Sequence, residues 1–142
     1  MQTRRARTQD AAIVTELLRQ LGYPRTVDDV AARLDADASS VVDPAWVAGE
    51  ADGPVGLVTG HLSRPYELDR PVAEITALVV LEGRRSAGVG SALVAELEAW
   101  AIEQGACRIS VASSLRREDA HAFYGSLGYA QRAKKLEKQI SA

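Results

Sequence analysis

The feature that most constrains this chain is a junction of three patterns in the middle of its 142 residues. Val72 to Leu81 is the longest β-pattern, and its stretch from Ile75 to Leu81 is apolar but for Thr76. Such a run without polar alternation suits a strand covered on both faces. Arg85-Ser86-Ala87-Gly88-Val89-Gly90 follows, and an amphipathic helix pattern begins near Ser91. Two glycines spaced G-x-G let the backbone approach a ligand closely, because neither carries a Cβ. The helix start beyond them offers unpaired N–H groups and a partial positive charge. Together these features make a cradle for an anion, most often a phosphate. Arg85 adds a fixed charge at its mouth.

Two phosphate loops are excluded by what stands in them. A Walker loop needs Lys and Ser/Thr after its second glycine; Gly83 and Gly88 have the spacing, but Val89-Gly90 follow. A dinucleotide fingerprint needs a third glycine, where Leu93 stands. The next strand pattern, Cys107 to Ala112, also lacks an acidic end for a ribose.

The pattern R/Q-x-x-G-x-G/A, met by Arg85, Gly88 and Gly90, resembles the pyrophosphate loop of the GNAT family of N-acetyltransferases. About thirty residues on, Ala120-His121-Ala122-Phe123-Tyr124-Gly125-Ser126-Leu127-Gly128-Tyr129 is similar to that family's A-x-x-F-Y-x-x-x-G-F/Y segment. The resemblance is specific over Glu74 to Tyr129 and looser before it.

Around these motifs the chain reads as one domain. Apolar content of 46% and charged content of 25% are those of a globular protein. A net charge of −2 without a basic field argues against a nucleic-acid binder. No apolar run approaches the length of a membrane span, and Arg4-Arg5-Ala6-Arg7 leads into no signal-peptide core, so a cytoplasmic location is expected. With a single cysteine there is no internal disulfide; Cys107 reads as core filler in a strand. The two histidines are sixty residues apart with no carboxylate cluster, so no metal is expected.

Asp10 can cap a helix with the stripe Ile13, Val14, Leu17, Leu18 and Leu21, ended by Gly22. Thr26 with Asp29 opens a second helix carrying Val30, Ala31 and Leu34. Strands over 46–51 and 55–62 form a hairpin, with Gly56 and Gly60 marking bulges or close packing. A helix over 91–104 presents Leu93, Leu97, Trp100, Ala101 and Gln104. A helix over 116–125 and a final strand over 129–138 complete the order α-α-β-β-β-α-β-α-β. The crossover from Val72–Leu81 through the helix to Cys107–Ala112 is right-handed between parallel strands, whereas the hairpin is antiparallel. The expected class is α+β, an α/β three-layer arrangement of a mixed central sheet flanked by helices. The resemblance makes it the acyl-CoA N-acyltransferase fold, with the two parallel strands splayed apart midway.

What the resemblance implies for function is acetyl transfer from acetyl-CoA to a primary amine of a small molecule or protein, by direct attack. The alternative is a non-catalytic module that senses acetyl-CoA. By resemblance the pyrophosphate meets the backbone of Arg85, Ser86, Ala87, Gly88, Val89, Gly90 and Ser91, and the backbone of Leu78, Val79 and Val80 pairs with the pantetheine arm. An N–H near Leu78 or Val79 polarises the thioester carbonyl. Ser114 stands in the region where many relatives carry a pantetheine-binding asparagine.

A lysine-like amine, with a pKa of about 10.4, must first lose a proton. Glu74, at the start of the central strand and eleven residues before Arg85, is the first candidate base; its other reading is a solvated strand-end carboxylate. His61, near the end of the preceding strand, is the rival, and a water chain is the third option. Tyr124 is the expected acid or hydrogen-bond donor to the leaving thiolate. The acceptor pocket falls to the early helices, the last strands and the 63–70 loop, where Arg64, Tyr66, Glu67 and Asp69 are substrate contacts or plain loop polars. A homodimer through sheet edges or the exposed final strand is the expected assembly.

Overall fold

A computed structural model describes residues 1–84, 88–112 and 118–141. The chain divides into two compact units, Met1–Val111 and Ala112–Ala142.

The first unit is a five-stranded sheet with helices on both faces. Its elements are β1 (Gln2–Arg5), a 3-10 turn (Thr8–Asp10), α1 (Ala11–Leu21), α2 (Val27–Asp37), β2 (Ala45–Glu50), β3 (Gly53–Ser63), β4 (Val72–Val80), α3 (Val89–Glu103) and β5 (Ile109–Val111). The strands lie in the order β1-β2-β3-β4-β5. All neighbours are antiparallel except β4 and β5, the parallel pair joined through α3. The sheet is therefore mixed, as expected.

One face packs on α1 and α2. Val14 and Leu17 of the α1 stripe, with Val30 and Leu34 of α2, are buried against Val47, Leu57 and Val79 of the sheet. Ile13, Leu18 and Leu21 flank this cluster, partly buried. Gly22, at φ +106°, ends α1, and the Tyr23 N–H donates to the Leu18 carbonyl at 2.9 Å. Thr26 caps α2 by accepting the Asp29 N–H at 3.1 Å.

The other face packs on α3, whose Leu93, Leu97, Trp100 and Ala101 are buried. Two glycines of β3, Gly56 and Gly60, serve close packing. A Cβ on Gly56 would come within 2.8 Å of Val89 Cγ1, and one on Gly60 within 3.0 Å of Leu97 Cδ1. Trp46 meets Trp100 edge to face at 5.8 Å.

Several expectations need correction. Strand β1 has no apolar alternation to announce it; it forms by pairing with β2, from Gln2↔Gly49 to Arg5↔Trp46. Arg5 lies over the Trp46 ring, 5.5 Å from its centroid. Asp10 precedes α1, yet its side chain does not cap it; the carboxylate turns back to Arg4 and to the Arg7 N–H. Cys107 is exposed rather than core, because β5 begins only at Ile109 and the Cys107 N–H is spent on the Pro71 carbonyl at 2.9 Å.

The second unit holds α4 (Glu118–Ser126). Gly128, at φ +93°, turns the chain so that the Tyr129 N–H reaches the Tyr124 carbonyl at 3.0 Å. No strand forms over 129–141; Leu136 and Ile140 stand fully in solvent. A strand is defined by its pairing, and apolar alternation alone does not supply a partner. The final strand, one of the two edges on which the homodimer expectation drew, is thus absent among the described residues. No helix among them is long and apolar enough to cross a membrane.

Candidate functional site

Strand β4 has one edge covered and one half open. On the first edge it pairs with β3 from Val72 to Val80. On the second, among the described residues, β5 covers Ala73, Glu74 and Ile75, through Ile109, Ser110 and Val111. Among the described residues these two parallel strands show no pairing beyond Ile75. The change falls at a bulge: Thr59 faces Ala77 while Gly60 faces Ile75, so Thr76 is the extra residue.

Alternation then tells which peptide groups the open edge presents. The Leu81 N–H donates to the Val55 carbonyl at 2.7 Å, so Leu81 and, two and four residues back, Val79 and Ala77 point their peptide groups at β3. Those of Leu78 and Val80 point the other way. Gln20 of α1 closes the far end, its Nε2 donating to the Val80 carbonyl and its Oε1 accepting the Glu82 N–H, both at 2.8 Å. Among the described residues the N–H groups of Leu78 and Val80 and the Leu78 carbonyl have no backbone partner, which suits an added extended chain.

The strand leads into the glycine loop. Arg85, Ser86 and Ala87 lie outside the described residues, as do Ser113 and Ser114. The ends of the loop are defined. Gly83 and Gly88 both take positive φ, +88° and +81°. Gly88 is the N-cap of α3 and, as a glycine, brings no capping side chain of its own. The Ala92 N–H makes the first helical bond, to the Gly88 carbonyl at 3.0 Å, so the N–H groups of Val89, Gly90 and Ser91 precede the helical ladder. A helix start at a glycine directly after the open end of β4 fits a chain whose phosphates follow an extended arm.

A row of polar side chains crosses the sheet on the face that α1 and α2 share. Glu74 on β4 is paired with His61 on β3 and, on its other side, with Ser110 on β5. Directly paired residues project to the same face. His61 is bonded in turn to Asp43, Nδ1 to Oδ1 at 2.7 Å. One step along that face the hydroxyls of Thr59 and Thr76 meet at 2.6 Å. The two bases considered from the sequence thus stand side by side. Asp43 was not foreseen; only its pairing with β3 brings it there. Among the described residues no group of three or more His, Cys, Asp or Glu side chains could hold a metal ion. In the 63–70 loop, Arg70 is committed to the Gly105 and Ala106 carbonyls at 2.8 and 3.1 Å, while Tyr66 is fully exposed. A cleft of about 360 Å³ bounded by Arg5, Trp46, Glu96 and Trp100 opens on the α3 side and holds none of these groups.

In the second unit, Tyr124 sits between Phe123 and Tyr129, with ring centroids 5.2 and 5.6 Å away, both edge-on. Burial pushes its phenol up to about 12, so the hydroxyl keeps its proton throughout the neutral range.

A mixed sheet with a parallel pair joined through a helix that starts at a glycine fits the class of proteins that take an extended, phosphate-ended ligand. The sequence profile of the Acetyltransferase (GNAT) family matches residues 11–129, and the chain belongs to that family. It is an acyl-CoA-dependent N-acetyltransferase. An aminoalkylphosphonate N-acetyltransferase of Salmonella typhimurium is 34% identical over 133 residues, covering 90% of this chain and 84% of the relative. Among solved structures, a protein of Agrobacterium tumefaciens superposes with a TM-score of 0.88 at 24% identity, covering 98% of this chain and 99% of that one. A Trypanosoma brucei acetyltransferase superposes with a TM-score of 0.82 at 23% identity and the same coverage. These two likenesses speak for the fold.

Proposed function

We propose that the chain transfers the acetyl group of acetyl-CoA to a primary amine of a small molecule or protein, by direct attack of the amine and without a covalent enzyme intermediate. The observation that carries this reading is the open edge of β4 ending at a helix that starts at a glycine. In it, the peptide groups of Leu78 and Val80 hold the pantetheine arm, with Val79 keeping the strand in register on β3. The loop Arg85–Ser91 holds the pyrophosphate, and Ser114 adds a weak contact to the arm. The Leu78 N–H is the donor that polarises the thioester carbonyl.

Glu74 takes the proton from the acceptor ammonium. Its carboxylate makes no hydrogen bond or ion pair with another side chain among the described residues, which leaves it open to an incoming cation. The C–N bond then forms as the C–S bond breaks. Tyr124 acts as a hydrogen-bond donor to the departing sulfur. Full proton transfer from a phenol near 12 to a thiolate of conjugate pKa about 8.5 is uphill by about 3.5 pK units, so the sulfur's proton comes finally from the amine nitrogen.

The name of the Salmonella relative makes aminoalkylphosphonates the first acceptors to try. Calorimetry with CoA, followed by release of free thiol from acetyl-CoA with a panel of primary amines including 2-aminoethylphosphonate, tests the reading. Binding with amine-dependent thiol release supports it. Binding with no release for any amine would favour a sensor module instead.

A further inference from the structure

We infer that Asp43 and His61 form a dyad that receives the proton Glu74 removes from the acceptor amine and passes it to solvent, with Asp43 as the positioning residue. The inference rests on the acetyltransferase reading above and deepens it.

The dyad is built by the backbone. The short segment before β2 continues the pairing with β3. Gly60 donates to the Pro44 carbonyl at 2.9 Å and Leu62 to the Val42 carbonyl at 2.8 Å. Asp43 is thereby fixed opposite His61. Its own N–H donates to Ser40 Oγ at 2.9 Å, and Pro44 beside it is fully buried. The carboxylate has little freedom to leave the imidazole.

A carboxylate on Nδ1 selects the tautomer. Nδ1 must carry the hydrogen it donates to Asp43, so the lone pair is on Nε2. Nε2 has no partner among the described residues. A carboxylate in this position also stabilises the imidazolium that forms when Nε2 takes a proton. The charged groups facing His61 are Asp43 from the segment before β2 and Glu74 from β4. Arg33 of α2 acts on Asp43 through its charge. The His61 side chain is 42% exposed, enough to hand a proton to water.

The step balances without a co-reactant. The ammonium N–H bond breaks and a Glu74 O–H bond forms. That bond breaks as Nε2–H forms, directly or through one water. The imidazolium then loses its proton to bulk water, and both residues return to their starting states. The relay thus gives the Glu74 proton a neighbouring acceptor on its way to solvent.

The test uses the full chain, with acetyl-CoA and the panel amine that the wild type turns over fastest. His61→Ala should lower kcat by about 10-fold or more, within the general acid–base range, and leave CoA affinity unchanged by calorimetry. Added imidazole should restore turnover in His61→Ala, which a purely structural role for His61 would not permit. Asp43→Asn should lower kcat, and the double variant should be no slower than His61→Ala alone, because both act through one proton path. Full turnover in His61→Ala, failure of imidazole to restore it, or additive losses would overturn the dyad. Loss of turnover in Glu74→Gln alongside full turnover in His61→Ala would remove the dyad and leave the acetyltransferase reading standing. A wild type that binds CoA yet acetylates no amine would remove both.

Discussion

Arg4 and Asp10 are joined by two parallel hydrogen bonds, Nη1 to Oδ2 and Nη2 to Oδ1, both at 2.8 Å. Asp10 is the one buried charged residue among those described, and the pair ties β1 to the turn that starts α1. The Arg7 N–H adds a third bond to the carboxylate, also at 2.8 Å.

The pair sets an acid limit on the fold. The guanidinium of Arg4, aided by the Arg7 N–H and opposed by burial, holds the Asp10 carboxyl below the usual carboxylate range. A depressed folded pKa gives stability that is present above the unfolded value, about 3.9, and is lost as pH falls through the folded one. Asp10→Asn should cost about 1–3 kcal/mol at neutral pH. Its deficit should shrink below about pH 4, where the wild type loses the same contribution. Urea denaturation of both proteins at pH 7 and pH 3 checks this; an equal deficit at both would refute it.

Gly56 and Gly60 separate stability from ligand binding. Ala at either position overpacks the α3 interface, at a cost of about 1–3 kcal/mol. At Gly56 the new Cβ presses on Val89, the first residue of the helix that follows the glycine loop. At Gly60 it presses on Leu97 and Trp100, two or more turns further along. Gly56→Ala should lower both melting temperature and CoA affinity; Gly60→Ala should lower the melting temperature alone. Equal affinity losses in the two variants would count against the helix start as the phosphate site.

Gly88 tests the same site by backbone strain. A Cβ there would touch nothing within 4 Å, so steric bulk is not the issue. Its φ of +81° is the issue, at about 1–2 kcal/mol for an ordinary L-residue. Gly88→Ala should weaken CoA binding while the protein stays folded. Gly88→Asn should weaken it less, since Asn tolerates the left-handed region better. Calorimetry on the pair checks the order.

How much of this was legible beforehand depends on whether an element answers to its own residues or to distant ones. Leu93, Leu97 and Trp100 repeat at helical spacing, so α3 and its buried face follow from the sequence. The pairing of Gln2–Arg5 does not, because those residues carry no pattern and depend on β2. Leu136 and Ile140 show the converse, apolar residues in a strand-like pattern with nothing to pair. The polar row was half legible. Glu74 and His61 could each be singled out by chemistry, but their adjacency turns on the bulge at Thr76. Without it the register would set His61 against Ile75 and send Glu74 to the opposite face. Asp43 was beyond reach, since its bond to His61 needs the Val42 and Pro44 carbonyls to extend the sheet by two residues.

Tyr124→Phe offers the sharpest test of the chemistry. The substitution removes one hydroxyl and keeps the ring, so the edge-on contacts with Phe123 and Tyr129 survive. If the hydroxyl steadies the departing sulfur, kcat should fall by about 10-fold or more while CoA affinity stays the same. Because burial holds this phenol near 12, the wild type should keep its donor up to high pH. Turnover should therefore show no alkaline decline from tyrosine ionisation near pH 10, the ordinary phenol value. Loss of activity centred near pH 10 in the wild type and absent from the variant would mean that the hydroxyl is more solvated than its ring contacts imply. Full turnover in the variant would mean that solvent or another donor serves the sulfur. The melting temperature of Tyr124→Phe, measured beside its rate, separates lost chemistry from lost fold.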